Sequence, residues 1–197
     1  SEPDRRILLD PSHPAWSTEA PDTVRLRFET TKGDFVVRLV RAWAPRGADR
    51  FYNLVRLGYY DDARFHRTVP GFIVQWGVAG DPEVTAAWLD RTLPDDPVVV
   101  SNTRGRIAFA FTEAGTRSTQ VFIATVDLER LDEGGFAPFG EVVEGMEVVD
   151  ALFGGYGEDS GGGMRAGGQD SLVLQGNAWL DRDFPLLDRI LRAYPEA

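Results

Sequence analysis

The stretch Phe65-His66-Arg67-Thr68-Val69-Pro70-Gly71-Phe72-Ile73-Val74-Gln75-Trp76-Gly77 gathers a guanidinium, a carboxamide, an imidazole and several large apolar side chains. Side chains alternate between the faces of a strand, so Phe65 and Arg67 are expected on one face. A turn at Pro70-Gly71 then returns Ile73 and Gln75 beside them. A second segment, Gln120-Val121-Phe122-Ile123, puts Gln120 and Phe122 on a common face. A fixed cation beside an apolar recess suits a ligand that carries a greasy ring next to a carbonyl. Arginine stays charged at any accessible pH, which suits Arg67 to electrostatic work. His66 alternates away from it and reads either as a general acid or as a packed or hydrogen-bonded side chain. By themselves, Arg67 would also read as a surface arginine on a strand, and Phe72 and Phe122 as core aromatics.

Composition narrows the chemistry further. The 197 residues include 21 Lys plus Arg against 31 Asp plus Glu, a net charge of −10. That charge repels phosphate backbones, so no nucleic-acid partner is expected. The absence of cysteine excludes thiol catalysis, disulfides, Fe–S clusters and thiolate zinc. Two histidines, His13 and His66, cannot build a His-rich metal centre. A carboxylate site for a hard cation would have to use a pair such as Asp95-Asp96 before Pro97, which more ordinarily forms a solvated turn, and no metal site is expected. No apolar run approaches the roughly 18 residues of a membrane span. The cysteine-free composition and the Ser start fit an exported protein, periplasmic or secreted, with its leader removed.

The elements that must position these residues read as follows. Residues 1–22 carry Pro3, Pro11, Pro14 and Pro21 and form an expected extended arm, with Leu8, Leu9 and Trp16 as anchors. Its Asp10-Pro11, His13-Pro14 and Ala20-Pro21 bonds are candidate occupants of the pocket in the same or a neighbouring molecule. Val24, Leu26 and Phe28 alternate with charged residues, and after the turn Thr31-Lys32-Gly33-Asp34 the alternation resumes at Phe35, Val37 and Leu39, which makes a hairpin. A helix starts near Pro45 and ends before Gly58. Short strands are expected at 64–69, 72–76, 98–101, 106–111, 120–125 and 171–174, a spacing that points to a barrel or sandwich. A second helix covers Glu144 to Leu152, and a C-terminal helix begins at Phe184-Pro185 with Leu187, Ile190 and Leu191 on one side. Between them the glycine-rich segment 154–168 lacks a phosphate-cradle pattern and reads as a mobile loop. The domain organisation expected is an arm (1–22), a barrel domain (23–176) and a helical extension (177–197).

Taken together these residues resemble the cyclophilin-type peptidyl-prolyl isomerases. The block Phe65-His66-Arg67 with Pro70-Gly71-Phe72, Gln75 and Gly77 looks like that family's signature. Supporting segments occur in the family's order: Thr31-Lys32-Gly33-Asp34-Phe35, Ala44-Pro45, Phe51 with Asn53-Leu54, Gln120 with Phe122-Ile123, Leu131-Asp132, and Phe139-Gly140 followed by Val143 and Gly145-Met146. The likeness runs from about Thr23 to Gly154 and resumes at the closing strand. It implies a mainly β fold, a closed antiparallel barrel of roughly eight strands capped by two helices, here with a C-terminal helix added. It also implies cis–trans rotation about X-Pro bonds in proline-containing peptides or unfolded proteins, with no cofactor. A non-catalytic proline-peptide binding module using the same pocket is the alternative.

Carried over by position, the resemblance makes Arg67 the catalytic residue. Phe72, Ile73, Phe122 and Leu131 would line the pocket for the proline ring, with Phe136 at its rim. Gln75 would hydrogen-bond the substrate backbone, the Phe111 backbone would hold the residue before proline, and Gln120 joins the substrate-binding set. Such residue types suit the reaction physically. Rotation must break amide resonance at a barrier of ~18–20 kcal/mol, with no proton transfer. The twisted nitrogen becomes an acceptor, so a fixed cation favours the transition state over either planar ground state. The chain also departs from the family pattern. Arg130 stands where a tryptophan is frequent, which removes an indole associated with cyclosporin, so tight binding of that drug is not expected. Phe136 stands for a frequent histidine, an asparagine common near Phe111 is missing, and Trp76 replaces a usual glycine. None of these replaces Arg67, Phe72, Gln75 or Phe122.

Overall fold

A computed structural model describes residues 2–161 and 163–197; Ser1 of the arm and Gly162 of the glycine-rich segment lie outside the described residues. In chain order the elements are α1 (Arg5–Leu8), β1 (Thr23–Thr30), β2 (Gly33–Val40), α2 (Pro45–Arg56), β3 (Arg67–Val69), β4 (Ile73–Trp76) and α3 (Pro82–Trp88). They continue with β5 (Arg106–Phe109), β6 (Val121–Ala124), α4 (Arg130–Glu133), β7 (Gly140–Glu144), α5 (Met146–Ala151), α6 (Asp170–Gln175), α7 (Asn177–Asp183) and β8 (Ile190–Pro195). The strands form one antiparallel sheet in the order β3-β4-β6-β5-β7-β2-β1-β8. The sheet curls until its edges meet. Asp62 N–H donates to Ile190 O, Phe65 N–H to Asp188 O and Ile190 N–H to Ala63 O, around a bridge between Arg64 and Arg189.

Alternation decides what each face carries. Leu26, Phe28, Phe35, Leu39, Trp76 and Phe139 point inward and are fully buried, with Phe51 and Leu54 of α2 packed among them. The Phe28 and Phe35 rings stack 4.9 Å apart. On the outer face a second, smaller cluster forms from Ile73, Ala108, Phe122, Ala124 and Leu128, with Phe72, Leu131 and Phe136 packed against it. A sheet with two apolar faces needs cover on both, and the outer cover is incomplete; the open part is the cleft described below.

Eight strands were expected and eight are present among the described residues, but two differ in place. The segments 98–101 and 171–174 are not strands: the first is irregular, with Val99 61% exposed, and the second lies in α6. In α6, Leu172 is buried while Leu174 is 73% exposed, so residues two apart do not share a face as a strand requires. The sheet instead gains β7 and β8. The expected C-terminal helix from Phe184 is overturned, since helix α7 ends at Asp183 and the chain then enters β8, which pairs with β1. A bulge explains the misreading. Thr30 pairs with Ile190 and Glu29 with Arg192, so Leu191 is an extra residue, and the inward-facing Ile190 and Ala193 fall three apart, a helical spacing.

The arm is not extended: it holds α1 and a 3-10 turn at Pro14–Ser17. Leu8, Leu9 and Trp16 do anchor it against the core. Trp88 Nε1–H donates to Leu8 O at 2.9 Å, and Asn53 Nδ2 donates to Trp16 O and Thr18 O. Asp96 is neither a cation ligand nor a solvated turn residue. It is buried, accepts from the N–H groups of Arg46 and Gly47 in the first turn of α2, and pairs with the buried Arg117 at 3.1 Å. A carboxylate there meets donors that have no partner inside the helix.

Candidate active site

The hairpin β3–β4 is built by its turn. Pro70 occupies the second turn position and Gly71, at φ +73°, the third, and Phe72 N–H closes the turn on Val69 O at 3.0 Å. That is type II turn chemistry, and it sets Arg67 directly opposite Gln75. Gln75 in turn faces Phe122 on β6. At the other end of β4, Gly77 has φ +124°, and a Cβ there would stand 2.3 Å from Thr119 O, so only glycine lets the strand pass that close.

These elements frame a cleft of about 640 Å³ on the outer face. Arg67, Gln75 and Gln120 supply its polar wall, and Phe72, Ile73, Phe122 and Leu131 its apolar floor. Phe111 and Phe136 complete the rim, stacked on each other at 4.4 Å, while Phe136 meets Phe122 edge-on at 5.7 Å. All nine residues singled out from the sequence therefore border one cavity. Among the described residues the Phe111 backbone makes no hydrogen bond, which leaves its N–H and C=O for a ligand. No described residue of the arm lines the cleft; the arm backs it from behind, where Trp16 meets the cleft-lining Trp88 edge-on at 4.6 Å.

Polar contacts run across the cleft as a chain. Arg67 Nη1 donates to Gln75 Oε1 at 2.9 Å, Gln75 Nε2 to Gln120 Oε1 at 3.0 Å, and Gln120 Nε2 to Gln169 Oε1 at 2.8 Å. At the other end Arg67 Nε and Nη2 donate to the two oxygens of Glu158 at 3.1 and 2.7 Å. Burial pushes the Glu158 pKa up, but the hydrogen bonds from Arg67 and from Met164 N–H outweigh it and hold the carboxyl below its ordinary value. Two guanidinium groups flank the Phe72 ring, Arg67 at 5.7 Å and Arg130 at 5.4 Å from its centroid. Of the departures, Phe136 lines the pocket and Arg130 meets it through the Phe72 ring.

Phe65 and Arg67 do not share a face. Strand β3 begins only at Arg67, and Phe65 packs inward against Phe35 and Trp76. His66, buried between them, makes no well-formed hydrogen bond at either ring nitrogen among the described residues, and burial lowers its pKa to about 4 against the weaker opposing pull of the Gln120 side chain and the Arg64 backbone beside it. It is a neutral packing residue at neutral pH.

Sequence reasoning missed the far wall: Val78, Trp88, Leu89, Met164, Gln169 and Val173 also line the cleft. Helix α3 had a readable start, Asp81-Pro82-Glu83, in which Asp81 caps Glu83 N–H and Pro82 takes the first position. Glu158 had no such signal, being 91 positions from Arg67. Nor does the described part of the glycine-rich segment hang free. Ser160 is fully buried and donates to His66 O at 2.7 Å, and a Cβ on Gly163 would stand 2.1 Å from Glu158 O.

Comparison with known proteins agrees with this geometry. The family model for cyclophilin type peptidyl-prolyl cis-trans isomerases matches residues 25–161. Peptidyl-prolyl cis-trans isomerase B of Escherichia coli is 34% identical over 135 residues, covering 64% of this chain and 82% of its own length. Peptidyl-prolyl cis-trans isomerase A of Dickeya dadantii is 33% identical over 138 residues, covering 68% and 73%. The crystal structure of a Cryptosporidium parvum cyclophilin type isomerase superposes with a TM-score of 0.63 at 21% identity, covering 89% of this chain and 98% of that one. A second structure of that protein, determined in the presence of the dipeptide Ala-Pro, gives 0.61 at 22% identity, covering 88% and 99%. The curled eight-stranded sheet, the outer cleft beside Arg67 and the match over 25–161 lead to one conclusion: the chain belongs to the cyclophilin-type peptidyl-prolyl cis-trans isomerases.

Proposed function

We propose that the cleft on the outer face is where this isomerase turns X-Pro bonds, with Arg67 as the catalytic residue. The observation that carries the reading is the juxtaposition of a guanidinium, only 14% exposed, with an aromatic floor that fits a proline ring. The substrate class is a proline-containing peptide or unfolded segment, and the Ala-Pro dipeptide present with the Cryptosporidium relative supports it. In use, Phe72, Phe122, Leu131 and Phe136 hold the ring, while Gln75, Gln120 and the Phe111 backbone hold the peptide on the other side of the bond. As the amide twists, its nitrogen gains a lone pair that an Arg67 N–H can meet, an interaction the planar amide cannot make.

No proton moves and no covalent intermediate forms, so neither His66 nor any carboxylate need act as acid or base. Cyclosporin is expected to bind weakly, because Arg130, whose guanidinium lies over the Phe72 ring, stands where an indole is frequent in the family. Action outside the cytoplasm is proposed on the cysteine-free composition and is checked by fractionating cells that express the protein.

The test is the cis–trans exchange rate of a short X-Pro peptide measured by NMR, with the parent protein and with Arg67→Ala. Faster exchange with the parent, falling by at least about tenfold in the variant, supports the assignment; tenfold equals roughly 1.4 kcal/mol of transition-state stabilisation. Peptide binding with no acceleration by the parent would overturn it in favour of a binding module.

A further inference from the structure

We propose that Glu158 is a positioning residue for the isomerase reaction, locking the Arg67 guanidinium in one orientation; the inference rests on the reading of Arg67 given above. A guanidinium has five N–H donors in a rigid plane. Three are committed here, one on each nitrogen: Nε and Nη2 to Glu158, Nη1 to Gln75. Fixing all three nitrogens fixes both the plane and its rotation, and it leaves one N–H on Nη1 and one on Nη2 for a substrate. Without Glu158 the group would be held at Nη1 alone, with only the Phe72 ring at 5.7 Å beside it.

The carboxylate is itself held. Met164 N–H donates to Glu158 Oε2 at 2.6 Å, and Arg165 N–H donates to Glu158 O at 3.0 Å. Gly163 supplies the close approach this folding-back requires. The nearby charged groups are few: Arg165 is engaged by Asp159, and Arg130 lies across the Phe72 ring. Both Arg67 and Glu158 are nearly buried, at 14% and 13% exposure, so the pair is shielded from the solvent that weakens surface ion pairs. A donor that must meet a lone pair present only in the twisted amide gains from such preorganisation, and a displacement of about 1 Å can cost 100-fold.

The experiment compares exchange catalysis by the parent, Glu158→Ala, Glu158→Gln, Arg67→Ala and the double variant Arg67→Ala/Glu158→Ala. Glu158→Ala is expected to lower kcat by about 10- to 100-fold with KM changing less than about twofold. Glu158→Gln, which keeps one accepting oxygen, should lose less. In the Arg67→Ala background the second substitution should change nothing, because a residue acting through Arg67 has nothing left to position. The Arg67 Nε–H resonance is expected to exchange with water more slowly in the parent, where it is bonded to Glu158, than in Glu158→Ala. Unchanged kcat in Glu158→Ala with Arg67→Ala still impaired would overturn the inference alone, and so would a rise in activity, which would make Glu158 an inhibitory contact. Full activity in Arg67→Ala would overturn the reading of Arg67 itself.

Discussion

The two walls of the cleft are fixed by different means. One wall is carried on β3, β4 and β6, where Arg67, Gln75 and Phe122 hold successive places in a hydrogen-bonded ladder. The other is carried by the described part of the segment from Gly154 to Gln169 and by α3 and α6, with no ladder among the described residues. There Glu158 and Gln169 are held by turns, by the closure of Gly163 N–H on Ser160 O at 2.6 Å, and by the strand wall itself. A ladder fixes a side chain through the whole sheet, so its residues carry stability as well as function. A folded-back loop fixes a side chain through a few local bonds, so its residues can set function while adding little to the stability of the fold.

The strongest way to break that contrast is on the strand wall. Phe122 is 3% exposed, and Phe122→Ala is expected to cost roughly 3–5 kcal/mol of stability as well as raise KM for X-Pro peptides. Denaturant midpoints and exchange kinetics together check it; a variant as stable as the parent would mean the ladder does not couple the two. Arg67→Ala comes next, with kcat/KM falling about 100- to 1000-fold, roughly 3–4 kcal/mol, while the denaturant midpoint moves far less than for Phe122→Ala.

At the junction of the walls lies His66, and its effect shows in pH. Its folded pKa of about 4 lies below its ordinary 6.5, so between those values the unfolded chain takes up a proton that the folded protein refuses. Stability is therefore full above about pH 6.5 and falls as pH drops, by roughly 2 kcal/mol between pH 7 and pH 5 from this group. His66→Phe should flatten that slope in urea unfolding at the two pH values. The smallest effect belongs to the loop wall. Gly163→Ala must push the loop off its closure, and it should lower kcat about tenfold, as loss of the Glu158 contact would, while the denaturant midpoint moves far less than for Phe122→Ala because the strain is confined to the loop.

The same contrast governs what the sequence reveals. Strand-borne residues leave a local trace: the Pro70-Gly71 turn and the period of two suffice to bring Gln75 beside Arg67 and to put Gln120 and Phe122 on one face. Arginine, amide and neighbouring apolar side chains were legible from short spacing, and the family resemblance assigned the pocket floor. Glu158 and Gln169 leave none, because a glycine-rich loop places its side chains by tertiary contact and not by a repeat. Two other misreadings have a different cause. The bulge at Leu191 turned a strand's period into three and imitated a helix, while the apolar run Ser171 to Leu174 is too short for its period to declare itself. Asp96 read as solvent-facing because its partners, Arg117 and the start of α2, are 21 and about 50 positions away.

The pairing of β1 with β8 has a consequence for how the protein is made. Glu29 and Tyr194, bonded side chain to side chain, are 165 positions apart. The β2 partner of β1 is complete by Val40, whereas the partner of its other edge is made only when nearly all of the remaining chain has emerged. Closing so long a loop costs entropy before any contact repays it, which slows the final step. Until then β1 presents an open row of amides and carbonyls, the template on which nascent chains stick to one another. The charges along that edge, Arg25, Arg27 and Glu29, later bonded to Glu196 and Tyr194, are placed to keep the unfinished barrel solitary.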